Sequence, residues 1–179
     1  MKRASEAHPS RAAIVVEAIT PESAPEDRDA VEAIARECFS ESSFSTEEEL
    51  SRPWARLWAV RMTAGAPLAG FLISWHVADE LHVLNIATLP SLRRCGLGRA
   101  LMEEGIRYSS AQKIRIVLLE VRRSNRAAIK LYRGLSFTAL GVRPGYYADN
   151  SEDAIEMILA LDPESGKILP GRDEIRIDG

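Results

Sequence analysis

Cysteine is scarce in this chain. Cys38 and Cys95 are the only two among 179 residues, too few for a disulfide framework or a cysteine-rich zinc site and suited to a reducing cytoplasm. His8, His76 and His82 are the only histidines and show no ligand spacing, so no metal is expected. Aromatic residues make up 6% of the chain. The most basic stretch holds only Tyr108 and Tyr132, which speaks against an aromatic-studded nucleic-acid platform. No apolar run approaches the ~18 residues of a membrane span. The opening MKRASEAHPSRAA has no apolar h-region, so neither a secretory leader nor a membrane partner is expected, and a cytoplasmic location is. No internal repeat is present, and the oligomeric state is left open.

What is present is an ordinary globular balance, 46% hydrophobic and 27% charged, on a length that fits one domain with a real core. The net charge is only −3, but the charge is sorted along the chain. Glu22 to Ser51 carries ten acidic residues against Arg28 and Arg36. Arg93 to Arg133 carries eleven basic residues against Glu103, Glu104 and Glu120. Most of these are solvated faces. The asymmetry also suits one region for a polyanion and another that tolerates a cation.

Residues 1–12 read as a flexible arm, 13–161 as the folded domain and 162–179 as a tail without periodicity. Ala13 to Ile19 reads as a first strand. PEDRDAVEAIARECF has helical spacing at Val31, Ile34, Ala35 and Cys38. Ser45 or Thr46 is placed to cap a short acidic helix. RLWAVRMT and LAGFLISWHV form a hairpin through AGAP, and LHVLNIATL is a further strand that Pro90 ends. A helix runs to about Ala111, then KIRIVLLEV is a strand. SNRAAIKLYRGL is a helix with Ser124 as its cap. SFTALGVR and DAIEMILAL are the last strands, joined by a loop holding Tyr146 and Tyr147. The order β-α-α-β-β-β-α-β-α-β-β predicts an α/β (α+β) domain, a mixed sheet of about seven strands flanked by helices.

The stretch RRCGLGRALMEEG, Arg93 to Gly105, places two glycines and fixed positive charge just before a helix. The first N–H groups of a helix lack intrahelical partners and its dipole favours an anion there. A dinucleotide fingerprint would want a third glycine where Leu101 stands, and would follow the first strand. A P-loop would want Gly-Lys-Ser/Thr, which is absent. On spacing alone the glycine pair signals a diphosphate and says little about the chemistry.

LNIATLPSLRRCGLGRALMEEGI resembles the core of the GCN5-related N-acetyltransferases (the GNAT superfamily), in which a strand leads into an Arg/Gln-x-x-Gly-x-Gly/Ala loop around the pyrophosphate of coenzyme A. LLEVRRSNRAAIKLYRGLSF and GYYADNSEDAIEMILAL resemble the ribosomal-protein-alanine N-acetyltransferases (the RimI type). The resemblance is close over roughly Glu80 to Leu161 and covers the N-terminal half in outline. It implies the GNAT fold, acetyl-CoA as cosubstrate and acetyl transfer to a protein or peptide N-terminus, a ribosomal protein being one such acceptor. Four positions depart from the family pattern. Thr88 replaces a valine, Cys95 a glycine or glutamine, and Ser136 a glycine. Phe44 lies where Pro-Trp-Ser is usual.

By this resemblance Ile86, Ala87 and Thr88 hold the pantetheine arm through main-chain groups. Arg93, Arg94, Cys95, Gly96, Leu97, Gly98 and Arg99 hold the diphosphate, and Asn125 contacts the cofactor. Tyr132 protonates the departing thiolate, and Phe44, Tyr146 and Tyr147 line the acceptor groove. Asn125 and Tyr132 are seven apart, roughly 20° from alignment on one helical face. Asn125 reads equally well as a helix-start residue bonding its own backbone. Tyr132 reads equally well as packing beside Ala128, Leu131 and Leu135. Glu120 ends the apolar run Ile114 to Leu119. Partial burial would raise its pKa and suit it as the general base that takes the proton of an ammonium. Other readings are acetyl transfer to a small-molecule amine or a protein lysine, and a non-catalytic coenzyme-A-binding module. The presence of both Glu120 and Tyr132 speaks against the last.

Overall fold

A computed structural model describes residues 14–39 and 45–177. The expected arm, residues 1–12, lies outside them, and so does Phe44. The elements follow the expected order: β1 (Val15–Ile19), α1 (Pro25–Cys38), α2 (Thr46–Leu50), β2 (Ala55–Arg61), β3 (Leu68–Val77), β4 (Glu80–Thr88), a 3₁₀ turn at Pro90–Leu92, α3 (Leu97–Ala111), β5 (Ile116–Arg122), α4 (Arg126–Arg133), β6 (Thr138–Tyr147) and β7 (Glu152–Ala160). One seven-stranded sheet runs β1-β2-β3-β4-β5-β7-β6. Every pairing is antiparallel except β4 with β5.

Strand alternation sorts the side chains into two cores. On one face Leu72, Leu81, Val83, Val117, Leu119, Val121, Ile155, Met157 and Leu159 pack under α3 and α4. On the other, Leu57, Ala59, Phe71, Ile73 and Ala87 pack under the Val31, Ile34 and Ala35 stripe of α1. Cys38 is only partly buried beside that second core. It donates its thiol to the Thr88 carbonyl (3.6 Å), tying the end of α1 to the end of β4.

Two local expectations are corrected. Asn125, not Ser124, caps α4: its side-chain oxygen accepts from Ala128 N–H at 3.1 Å, whereas Ser124 turns its own N–H to Glu152 (2.7 Å). Tyr146 and Tyr147 belong to β6 rather than to a loop, because Tyr147 pairs with Glu152 and carries the strand past an irregular stretch. Ser45 does cap α2, accepting from Glu48 N–H (3.3 Å). The last residues run along the free edge of β6. The Asp173 carboxylate accepts from Ala139 N–H (2.8 Å) and pairs with Arg133 (2.8 Å), and Glu174 N–H donates to Ala139 O (2.8 Å). That contact covers an exposed sheet edge and anchors the last turn of α4.

The end of α4 explains one departure from the family pattern. Phe137 N–H reaches back to Tyr132 O (3.0 Å) and Ser136 N–H to Arg133 O (3.0 Å). This is the paired Schellman closure, with the Tyr132 and Phe137 rings 5.9 Å apart as its apolar contact. It puts Ser136 at φ +72°, the left-handed region that costs a side chain about 1–2 kcal/mol. Ser136→Gly should therefore raise stability by about 1 kcal/mol, part of the relief being offset by the greater chain entropy of glycine when unfolded. The check is a higher urea midpoint with unchanged slope.

Candidate active site

The site begins where two strands part. β4 and β5 pair only from Glu80↔Ile116 to Val83↔Leu119. Just beyond, β4 holds one extra residue against β3: Ser74 faces Val83 and Ile73 faces Asn85, so Leu84 bulges. A bulge bends its strand. From there β4 stays with β3 to Gly70↔Thr88, and β5 stays with β7 to Arg122↔Ala154. The β5-facing backbone groups of β4 around Ile86–Thr88 therefore have no ladder partner, and a gap opens between the two strands.

The basic loop lies at the end of β4. Arg94 (φ 64°) and Gly96 (φ 88°) are both left-handed, and Gly96 is the N-terminal boundary of α3. Its carbonyl accepts the first helical bond, from Ala100 at 3.0 Å. The N–H groups of Leu97, Gly98 and Arg99 have no acceptor within the helix, the arrangement that receives an anion. Gly98 also serves packing, since a Cβ there would lie 3.4 Å from Leu131 Cδ2, so α3 and α4 approach closely. The arginines divide. Arg99 spends its guanidinium on the Gly134 carbonyl (3.4 and 3.5 Å) and Glu103 (3.4 Å). Arg94 makes no ion pair among the described residues. Arg93 lies against the Cys38 thiol, and burial, more than that cation, sets the thiol's upward shift. Cys95 is exposed.

Glu120 and Tyr132 lie on opposite faces of the sheet. The alternation of β5 buries Val117, Leu119 and Val121 under α3 and α4, so Glu120 projects to the face that carries α1. Its side chain is 29% exposed and meets Arg143 at 3.4 Å. Tyr132, from α4, is 4% exposed in the other core. Burial, with Tyr147 nearby, pushes its phenol well above the ordinary value, so it stays protonated. Tyr147 joins the two faces. Burial raises its phenol despite Arg122, whose guanidinium lies 3.9 Å from the ring centre, and Glu120 acts on it electrostatically. Tyr146 stands against Tyr147 edge to face (5.2 Å) and is 46% exposed.

Glu120, the first residue of β5 past its pairing with β4, thus lies at the gap. Tyr147 is near both Glu120 and Tyr132, Tyr146 stands against Tyr147, and Ile86–Thr88 and the Gly96–Arg99 loop lie along the β4 side. Asn125 is exposed and bonds its own backbone. Sequence reasoning missed Arg122, Arg143, Glu152 and Glu156. Glu156 had a signal of the kind that marked Glu120, because it is the one charge in the run Ala154 to Leu161. Among the described residues no group of three or more His, Cys, Asp or Glu could hold a metal ion. No helix there is long and apolar enough to cross a membrane.

Comparison with known proteins gives the family. A model of the acetyltransferase (GNAT) family matches residues 27–137. The chain is 38% identical over 125 residues to the [ribosomal protein bS18]-alanine N-acetyltransferase of Escherichia coli K12, spanning 69% of this chain and 81% of that protein. It is 33% identical over 114 residues to a putative protein of the same name from Bacillus subtilis, spanning 64% and 74%. The crystal structure of the ribosomal-protein-S18-alanine N-acetyltransferase from Escherichia coli superposes with a TM-score of 0.70 at 32% identity, covering 83% of this chain and 94% of that one.

Glu152 fastens the turn between Glu120 and α4. It accepts from Ser124 N–H (2.7 Å) and pairs with Arg122 (3.2 Å), and these hydrogen bonds, Ser124 first, pull its carboxyl down to about 2. A carboxyl lowered on folding stabilises the fold above its unfolded value, near 4.5, and that contribution is lost as pH falls through the folded value. Glu152→Gln should therefore be less stable than the parent at neutral pH, with the difference fading between about pH 4.5 and 2. Denaturant melts across that window check it.

Proposed function

The chain belongs to the acetyltransferase (GNAT) family, among the relatives of the RimI-type ribosomal-protein-alanine N-acetyltransferases, and from that premise we propose that it transfers acetyl from acetyl-CoA to the free N-terminal amine of a protein. The observation that carries this reading is the strand gap with Glu120 at its β5 edge and Tyr147 near both Glu120 and the buried Tyr132. A ribosomal protein with an N-terminal alanine is the acceptor suggested by the relatives' name.

The residues present suit acetyl-CoA. The unpaired N–H groups of Leu97, Gly98 and Arg99, with Arg94 beside them, would receive the diphosphate. The open edge of β4 at Ile86, Ala87 and Thr88 would pair with the amides of the pantetheine arm as a further strand would. Arg93, Cys95 and Asn125 would border it. Bound there, acetyl-CoA supplies an activated acetyl thioester. Glu120 takes the proton of the acceptor's ammonium, whose reference pKa is about 7.7–8.0. The freed amine forms the C–N bond as the C–S bond breaks, and its second proton leaves to solvent. Tyr132, kept neutral by burial, donates to the departing sulfur, and solvent then reprotonates its phenolate. Tyr146 and Tyr147 line the acceptor's path on the Glu120 face. No enzyme-bound acyl intermediate is required, so Cys95 needs no nucleophilic role.

Glu120→Gln keeps the shape and removes the base, so kcat should fall about 10²–10⁴-fold, with partial recovery at high pH as the amine deprotonates unaided. Tyr132→Phe should lower kcat with little change in peptide KM. Full activity of Glu120→Gln at neutral pH would remove Glu120 from the mechanism.

Mass spectrometry decides the acceptor. A peptide beginning with Ala or Ser should be acetylated at its amine. The same peptide with a blocked N-terminus and an internal lysine should react poorly. Faster reaction of the blocked peptide would replace this reading with a lysine acetyltransferase.

A further inference from the structure

Glu120 has a carboxylate neighbour. In the β5–β7 register it stands opposite Glu156, and Glu156 stands opposite Gly141 on β6. Opposed residues of paired strands point to the same face, so two carboxylates lie side by side, an arrangement that is unfavourable unless a cation bridges them. Room for the second is built in, because a Cβ on Gly141 would lie only 3.0 Å from Glu156 Oε2.

Arg143 is the bridge, and it is lopsided. Its Nε and Nη2 both lie 2.7 Å from Glu156 Oε1. Only Nη1 reaches Glu120, at 3.4 Å. The Arg143 side chain is half exposed, and its guanidinium lies 5.7 Å from the centre of the exposed Tyr146 ring. It stands at the border of an irregular stretch. The β6–β7 register passes from Arg143↔Ala154 directly to Tyr147↔Glu152, leaving Pro144, Gly145 and Tyr146 out of the ladder. Gly145 is left-handed, and its N–H donates to Asp153 Oδ1 at 3.0 Å. The cation is thus firmly held on one side and weakly held on the other.

We propose that Arg143 is a displaceable counter-ion, holding Glu120 until the acceptor's ammonium arrives and then resting on Glu156, so that Arg143 and Glu156 together set the affinity for the acceptor. This rests on the reading that the Glu120 face receives the amine. The ammonium and the guanidinium compete for one carboxylate, and the longer contact yields. Glu156 is a positioning residue that acts through Arg143: it holds the guanidinium near enough to neutralise Glu120 and withdraws it when the amine binds.

The two residues therefore have opposite effects. Arg143→Gln removes the competitor, so the KM for an Ala-initiated peptide should fall about two- to fivefold, the range set by one partly exposed ion pair, with the KM for acetyl-CoA unchanged. Arg143→Lys keeps a cation and should restore the parental KM. Glu156→Gln frees Arg143 to close on Glu120, so the peptide KM should rise, and adding Arg143→Gln should reverse that rise. A merely structural ion pair would move KM and melting temperature in the same direction for both variants. Titration of the peptide into the enzyme–CoA complex reads the same pattern without turnover, so failure of Glu120 as the base would not obscure it. If the blocked lysine peptide proves the better substrate, its ammonium takes the place of the α-amine in the same comparison. An unchanged or lowered affinity in Arg143→Gln, or a KM rise shared by both single variants, would overturn the proposal.

Discussion

The parting of β4 from β5 is the constraint on which the rest depends. Each of these strands has an antiparallel partner on its far side, β3 and β7, and each keeps it to the end. The ladder given up is the parallel one, the slightly weaker pairing per residue. Leu84 makes the choice local, because one extra residue turns β4 away immediately after Val83↔Leu119. Backbone groups on the β5 side of β4 are left without a ladder; the Thr88 carbonyl takes the Cys38 thiol instead, and the others are satisfied by solvent or a ligand. A continuous sheet would keep Glu120 and Tyr132 on separate faces. Tyr147, near both, spans that separation.

The two faces supply different environments. Tyr132 sits among apolar side chains and is driven towards its neutral form by desolvation. Glu120 sits on a charged, partly wetted face with Arg143 beside it and Glu156 one strand away. An acid kept neutral by burial, with a carboxylate on a wetted face, is an arrangement acid–base chemistry can use. Their supports differ accordingly. Tyr132 is held by core packing, by the Phe137 N–H bond to its carbonyl and by the Asp173–Arg133 contact on the next residue. Glu120 is held by strand register and by charge, both of which can respond to a ligand.

Acetyl transfer to an amine asks for an activated acyl donor, a base and a group to meet the leaving sulfur. It asks nothing of the sheet beyond an opening. On the proposed reading, the donor side would call on main chain at Ile86–Thr88 and Gly96–Arg99, with little demand on side-chain identity at Thr88 and Cys95. The acceptor side would call on side chains, and around Glu120 and the two tyrosines the charged residues Arg122, Arg143, Glu152 and Glu156 crowd together.

Element order was legible in the chain because apolar periodicity and turn residues act locally. β3 begins and ends where LAGFLISWHV does, and α3 starts at the leucine between the two glycines. The glycine loop was legible for the same reason, as an unpaired helix start needs only its own residues. Glu120 announced itself as a lone charge closing an apolar strand. The end of β6 and the cap of α4 were not legible. Tyr147 becomes strand by pairing with Glu152, and Ser124 yields the cap to Asn125 by turning its N–H to that same carboxylate. The sequence by itself determined which segments are helix and strand, and offered an unpaired helix start and a carboxylate as candidates for a site. Only the tertiary structure decided that β4 leaves β5 at Leu84, that Glu120 and Tyr132 lie on opposite faces, and that Glu156 and Arg143 stand beside Glu120. Those facts are register relations between strands far apart in the chain, and a shift of one residue would have sent each of those side chains to the other face.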